Sequence, residues 1–319
     1  MITVICPVYN EENYITNVIE FFINAMPADK ELVIIDGGST DKTIEIINRY
    51  QSAHRNIKLF NNPSKFVPYA LNSAIKETIG DPIIRLDAHT QYAEDYFVKI
   101  METFSKSGAD IVGGPMRAIG TTPFQKAVAD ATSTSFGIGD SSFHDENHEG
   151  FVDSVYLGAW KRSIFNEVGF FDTDMIRNQD DEFHYRAKSR GKKIYLNPEI
   201  RSFYRPRSTF GTLFQQYYQY GLFKPLVLKK VRSGMKIRHL IPAGFVFYLF
   251  LLIVFNPFYY LFIPLILYFQ LDLLFSFKSK GSIVKSLYMI LIYPILHISY
   301  GSGFLKGLLL LWRGKKPKL

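Results

Sequence analysis

The sequence has almost no cysteine: among its 319 residues Cys6 is alone. One thiol inside the apolar run Ile2 to Val8 cannot close an internal disulfide, which fits a core-held fold in a reducing compartment. A basic leader with a cleavage site is also missing. The chain opens on Met-Ile-Thr-Val-Ile-Cys, a strand-like run, so no signal peptide is expected and the first domain is expected in the cytosol. The largest absence is of charge. Leu240 to Leu271 holds no Asp, Glu, Lys or Arg, nor does Ser286 to Leu305, whereas charges are scattered through residues 1 to 239. Three segments are therefore expected: an α/β domain over residues 1–222, a basic juxtamembrane linker over 223–239, and a membrane-embedded helical region with a basic tail over 240–319.

A content of 47% apolar residues is ample for a core, and 37 Lys and Arg against 29 Asp and Glu give a formal net charge of +8. The excess sits beside the apolar runs, at Lys224, Lys229, Lys230, Arg232, Lys236 and Arg238 and again from Lys278 to Lys285 and from Arg313 to Lys318. Basic residues so placed point to an anionic membrane surface and membrane lipids as partners. No basic stripe with interleaved stacking aromatics occurs in the first domain, so no nucleic acid is expected.

A straight helix over Leu240 to Leu271 would be about 48 Å long, well beyond a hydrocarbon core of about 30 Å. The run should fold back at Asn256-Pro257 into two legs, about 240–255 and 258–277, with Lys278 to Lys285 returned to the cytosolic side. Ser286 to Leu305 is interrupted by Pro294 and Gly301-Ser-Gly303 and is expected as a second, broken hairpin, which keeps Arg313 to Lys318 on the same side. Thr209 to Leu222 reads as an amphipathic helix beside the membrane.

In the first part, apolar runs at Ile2 to Val8, Glu31 to Ile35, Ile57 to Asn61, Pro82 to Asp87 and Ala109 to Gly114 alternate with stretches of helical periodicity. That alternation predicts a doubly wound, largely parallel α/β sheet. In such sheets ligands bind beyond the carboxyl ends of the strands, where several polar groups stand. Asp36-Gly-Gly-Ser-Thr-Asp41 offers a carboxylate beside a tight turn, suited to a ribose or a base, or is an ordinary turn. Lys65, before a helix opened by Pro68, can meet phosphate or solvent. Asp87 and His89 can jointly face a divalent metal and its phosphates, or Asp87 can simply cap the next helix. Asn178-Gln-Asp-Asp-Glu182 places Asp180, Asp181 and Glu182 at a helix start, where the dipole alone favours acids. His144, Asp145, Glu146, His148 and Glu149 crowd a polar loop, which reads as solvated or acceptor-facing rather than as a metal site.

Pro7-Val-Tyr-Asn-Glu11, Asp36-Gly-Gly-Ser-Thr-Asp41, Asp87-Ala-His89 and Gln179-Asp-Asp-Glu182, in that order, resemble the family 2 glycosyltransferases of the GT-A fold over about residues 2 to 222. Asn62-Pro-Ser-Lys65, Val155-Tyr-Leu-Gly-Ala159 and Asn178-Gln-Asp-Asp-Glu182 are similar to the succinoglycan-type exopolysaccharide glucosyltransferases. The resemblance implies inverting transfer of a sugar from a nucleoside diphosphate sugar, UDP foremost, to a polyprenyl-diphosphate-linked or other glycan acceptor in polysaccharide biosynthesis; the basic flanks set it, as an expectation, at the cytosolic face of the cytoplasmic membrane. It implies that Pro7, Tyr9, Glu11 and Asp36 hold the nucleoside, with Lys65 near phosphate. It further implies that Asp87 and position 89 hold ribose and metal. Asp180 aligns with the catalytic base, and Asp181 and Glu182 complete the catalytic carboxylates.

Two departures shape the expectation. The second Asp of the D-x-D motif is His89, which favours manganese over magnesium. The Q-x-x-R-W motif of processive synthases is replaced by Gln216-Tyr-Tyr-Gln-Tyr220, so a single addition is expected. Two other functions remain compatible with the residues: a nucleotidyltransferase on a related sheet, and a catalytically silent membrane scaffold.

Overall fold

Ile2–Val8 is buried at every position but Pro7, as a strand covered on both faces must be. It is β1, an interior strand of the main sheet. The computed structural model describes residues 1–140, 142–255, 259–279 and 281–318. They form two units, Met1–Arg117 with Asp145–Tyr204, and Ala118–His144 with Arg205–Leu319.

In the first unit β1 is followed by α1 (Ile15–Asn24), β2 (Lys30–Asp36), α2 (Thr43–Ala53), β3 (Ile57–Asn61), α3 (Val67–Glu77) and β4 (Ile83–Arg85). Next come β5 (Gln91–Tyr92), α4 (Tyr96–Ser107), β6 (Ile111–Gly114) and β7 (Met116–Ala118). After α5 (Pro123–Ser133) and α6 (Ser135–Ile138) of the other unit, the chain adds β8 (Gly150–Phe151), β9 (Tyr156–Trp160), α7 (Ser163–Val168), α8 (Gln179–Ser189), β10 (Ile194–Leu196) and β11 (Ser202–Tyr204).

The main sheet runs β3-β2-β1-β4-β9-β6-β10-β8, and a small sheet runs β5-β11-β7. β3, β2, β1 and β4 are parallel, with Val8 opposite Asp36, Asp36 opposite Asn61 and Ile5 opposite Arg85. Their carboxyl ends therefore share one edge. Helix α1 buries Ile15, Val18, Ile19 and Phe22, one stripe at helical spacing, against this sheet. Each such side chain contributes roughly 1.5–3 kcal/mol.

Parallel order is broken at β9, which lies antiparallel between β4 and β6, and at β8 beside β10. Periodicity reports burial but not strand direction, so this mixed pairing was not foreseeable. β4 also ends at Arg85, two residues before Asp87, and the cap position of α4 belongs to Asp95.

The second unit continues with α9 (Phe210–Lys230), α10 (Ile241–Phe255), α11 (Ile263–Lys278) and α12 (Ile283–Trp312). Its core joins α5, α9 and α12 through Phe124, Val128, Leu213, Met289, Ile292 and Leu296. The two expected legs are separate helices: Phe245 and Tyr268 stack at 4.4 Å, and Tyr248 donates to the Leu261 carbonyl at 2.6 Å. Asn256, Pro257 and Lys280 lie outside the described residues.

The second hairpin expected within Ser286 to Leu305 does not occur. α12 is one helix of 30 residues with Pro294 inside it, about 45 Å long. The glycines read as breakers serve close packing instead. A Cβ on Gly303 would lie 2.1 Å from the Tyr218 carbonyl oxygen, and one on Gly221 would lie 2.0 Å from that of Tyr300. Only glycine lets α9 and α12 approach so closely. The segments Ile237–Val254, Tyr260–Lys278 and Ile283–Trp312 are long and apolar enough to cross a membrane, and Phe250, Ile253, Leu274, Ile283 and Leu287 are exposed along them.

Candidate active site

At the shared strand edge the loops after β1 and β2 are sewn together. Asn10, with a left-handed φ of 55°, donates its amide to Ser39 Oγ at 2.8 Å and accepts at Oδ1 from the Thr40 amide at 2.8 Å. The Glu11 amide donates to Thr43 Oγ1 at 2.8 Å. The Asp36 carboxylate, 4% exposed, accepts from the amides of Gly38 at 2.8 Å and Ser39 at 3.0 Å. It thus shapes its own turn, as acidic residues at turns do. A Cβ on Gly37 would stand 3.4 Å from the carbonyl oxygens of Val8 and Lys65, so the chain leaving β1, β2 and β3 converges there. Tyr9 is 53% exposed. Exposed Lys65 passes over Gly38, its Cε 3.8 Å from where a Cβ would be.

Beyond β4 the chain turns at Asp87, whose amide donates to the Tyr92 hydroxyl at 2.7 Å while that hydroxyl donates to the Asp87 carbonyl at 3.2 Å. His89 Nδ1 meets Glu11 Oε1 at 3.1 Å, which ties the loop after β4 to the loop after β1. Among the described residues no three His, Cys, Asp or Glu side chains converge as a cage. An ion here would take one or two ligands from Asp87 and His89 and the rest from a diphosphate, the usual arrangement for hard cations beside phosphates. The donor set fits that use.

Arg85 was not singled out from the sequence, yet it organises the site. Its side chain is 8% exposed. Nε and Nη2 both reach Asp87 Oδ1 at 3.0 Å, and Nη1 donates to Asp180 Oδ1 at 3.0 Å and Oδ2 at 2.9 Å. Burial works against its charge, but Asp180 and Asp87 outweigh burial and hold the guanidinium firmly protonated. Burial lifts the Asp180 carboxyl above the ordinary range; Arg85 opposes this, and Asp87 and Asp181 add to it. A sequence signal existed: an arginine in the apolar run Pro82 to Asp87, two residues before the aspartate, would share that residue's face if the run were one strand.

Helix α8 starts from Asn178, in the left-handed region at φ 58°, and its periodicity sorts the three acids. Asp180 and Asp181 stand half-buried at the mouth. Glu182 is not brought to them: it is 2% exposed, and both its oxygens accept from Arg186, at 2.7 and 2.9 Å. Behind Asp181 runs a buried chain. Trp160 Nε1 donates to His184 Nε2 at 3.4 Å, His184 Nδ1 lies 2.9 Å from Ser154 Oγ, and Ser154 Oγ donates to Asp181 Oδ1 at 3.4 Å. Burial, with Arg85 assisting against Asp181, lowers the His184 pKa to about 4, so the ring is neutral at pH 7 and Nδ1–H faces the serine.

Carboxylates at strand ends, a lysine over paired glycines and a helix-borne acid joined to Asp87 through Arg85 make up a candidate site on a GT-A sheet. Residues 3–169 match the model of glycosyl transferase family 2, and the chain belongs to that family. It is 31% identical over 316 residues, covering 96% of this chain and 98% of the relative, to dolichyl N-acetyl-alpha-D-glucosaminyl phosphate 3-beta-D-2,3-diacetamido-2,3-dideoxy-beta-D-glucuronosyltransferase of Methanococcus voltae. It is 31% identical over 244 residues, 76% of this chain and 74% of the relative, to succinoglycan biosynthesis protein ExoA of Rhizobium meliloti (strain 1021). Among solved structures, the mannosyltransferase PcManGT of Pyrobaculum calidifontis in complex with GDP-Man and Mn2+ superposes with a TM-score of 0.61 at 15% identity, over 96% of this chain and 86% of that one. S. aureus TarS 1-349 in complex with UDP-GlcNAc gives 0.56 at 14% identity, over 98% and 92%. At these identities the two structures speak for the GT-A fold alone.

Proposed function

We propose that this glycosyltransferase moves one sugar from a UDP-sugar to a lipid-linked glycan, with inversion at the anomeric carbon. The observation that carries the proposal is the joining of Asp87 and Asp180 through Arg85 at the strand edge. One carboxylate then lies on the diphosphate side of the sugar and another is available to the acceptor. The acceptor hydroxyl attacks the anomeric carbon as the bond to the diphosphate oxygen breaks; Asp180 takes the hydroxyl proton, and the bonding pair leaves with UDP. One attack from the face opposite the leaving group inverts the centre.

Tyr9, Glu11 and the turn shaped by Asp36 receive the nucleoside, and Lys65 meets the phosphates. A divalent ion, manganese rather than magnesium given the His89 imidazole, would be held by Asp87 and His89 and would supply positive charge to the departing diphosphate. Glu182 takes no part in the transfer. A lipid-phosphate acceptor is supported by the name of the Methanococcus relative and by the three apolar helices. Residues 240–319 would keep the site at the surface to which such an acceptor is confined, on the cytosolic side.

The test is transfer itself. Detergent-purified protein is given radiolabelled UDP-sugars, Mn2+ and a membrane lipid extract. The proposal expects label in the organic phase at one sugar per acceptor. Label confined to the aqueous phase, or ladders of product, would contradict it.

A further inference from the structure

We infer that Arg85 is a positioning residue for transfer, its guanidinium fixing the spacing between Asp87 on the donor side and Asp180 on the acceptor side; this rests on the function proposed above. A guanidinium withdrawn from water needs partners, but one carboxylate would satisfy that need. Here the fork is shared. Nε and Nη2 close on Asp87 while Nη1 holds both oxygens of Asp180, so a planar group bridges two carboxylates that belong to separate elements of the fold.

The base of the fork is firmly anchored. Arg85 pairs opposite Ile5 in the sheet, and the next amide, of Leu86, donates to the Ile5 carbonyl at 2.9 Å. Asp87 is tied to the Tyr92 hydroxyl, and Asp180 follows the left-handed turn at Asn178. In an in-line displacement the proton acceptor and the leaving group must keep a set separation across the anomeric carbon, and misplacement by about 1 Å can cost about 10²-fold in rate. A planar fork fixes such a separation, whereas a lysine ammonium, a point charge on a flexible stem, does not. If Arg85 only neutralised buried charge, lysine would serve equally well.

The experiment compares wild type, Arg85→Lys and Arg85→Gln in detergent. UDP with Mn2+ is the binding probe, and UDP-glucose and UDP-N-acetylglucosamine are the donors for turnover, with a membrane lipid extract supplying the acceptor. In Arg85→Lys the dissociation constant for UDP should stay within about threefold while kcat falls about 10²-fold, a loss confined to the transition state. Adding Asp180→Asn should then cost far less than it does in wild type, because the two residues act as one unit. A kcat in Arg85→Lys within about threefold of wild type, or additive losses in the double variant, would overturn the inference. Failure of both single variants to fold would overturn it too, marking Arg85 as a group of the core. Wild-type protein that turns over neither donor, nor any other UDP- or GDP-sugar, would instead sink the proposed function, and this inference with it.

Discussion

Arg85 and Asp180, 95 positions apart in the chain, share a two-pronged ion pair: Nη1 lies 3.0 and 2.9 Å from the two carboxylate oxygens. The pair holds the proposed base in place, while burial keeps its carboxyl above the ordinary range. A base works only after losing its proton, so activity should rise with pH through a limb above about 3.9, the usual aspartate value. The profile of kcat/KM, which reports the free enzyme, checks this. A limb at or below the ordinary value would contradict it.

Glu182 answers a different question. Both its oxygens are taken by Arg186, whose Nη1 and Nη2 also donate to the carbonyls of Val168 at 2.6 Å and Phe170 at 2.9 Å. Glu182→Gln breaks a largely buried pair and should cost about 3 kcal/mol of stability, with kcat per folded molecule nearly unchanged. Thermal unfolding beside activity corrected for the folded fraction separates the two. A stable but inactive variant would return Glu182 to the chemistry.

His184 makes stability depend on pH. Its pKa is lowered from 6.5 to about 4 in the fold, so its contribution is complete above pH 6.5 and is lost as the pH falls toward 4. The loss from this group is about 3 kcal/mol. Wild type should therefore lose more stability between pH 6.5 and 4 than His184→Gln does. Parallel curves for the two proteins would refute this.

The helical unit can be tested through its glycines. Gly303→Ala puts a methyl group 2.1 Å from the Tyr218 carbonyl oxygen, forcing α12 from α9. A destabilisation of about 1–3 kcal/mol is expected from such overpacking, with the affinity for UDP and Mn2+ retained. An unchanged unfolding temperature would mean that the helices do not pack in this way.

Much of this architecture was legible in the sequence because burial has a period. The strand runs, the α1 stripe and the charge-free segments report which residues face a core, and the Asp36 and Asp87 turns announce themselves by leaving apolar runs. What could not be read was pairing across the chain. Nothing local says that β9 enters antiparallel, or that Arg85 in β4 will find Asp180 at the start of α8. The three acids of α8 looked alike in sequence; only the rotation of the helix turns Glu182 inward toward Arg186 and leaves Asp180 and Asp181 at the mouth. Likewise Pro294 and the glycines near 301 read as breakers, and the partner helix α9 decided otherwise.

The central claim is tested most directly by release of nucleoside diphosphate from purified protein supplied with a membrane lipid extract as acceptor, screened over UDP- and GDP-sugars with Mn2+, Mg2+ or EDTA. The account predicts UDP release that needs a divalent ion, is weakened in Asp87→Asn, and falls by about 10²–10⁴-fold in Asp180→Asn, as expected for loss of a general base. Release that persists in EDTA, or survives in Asp180→Asn, would contradict it.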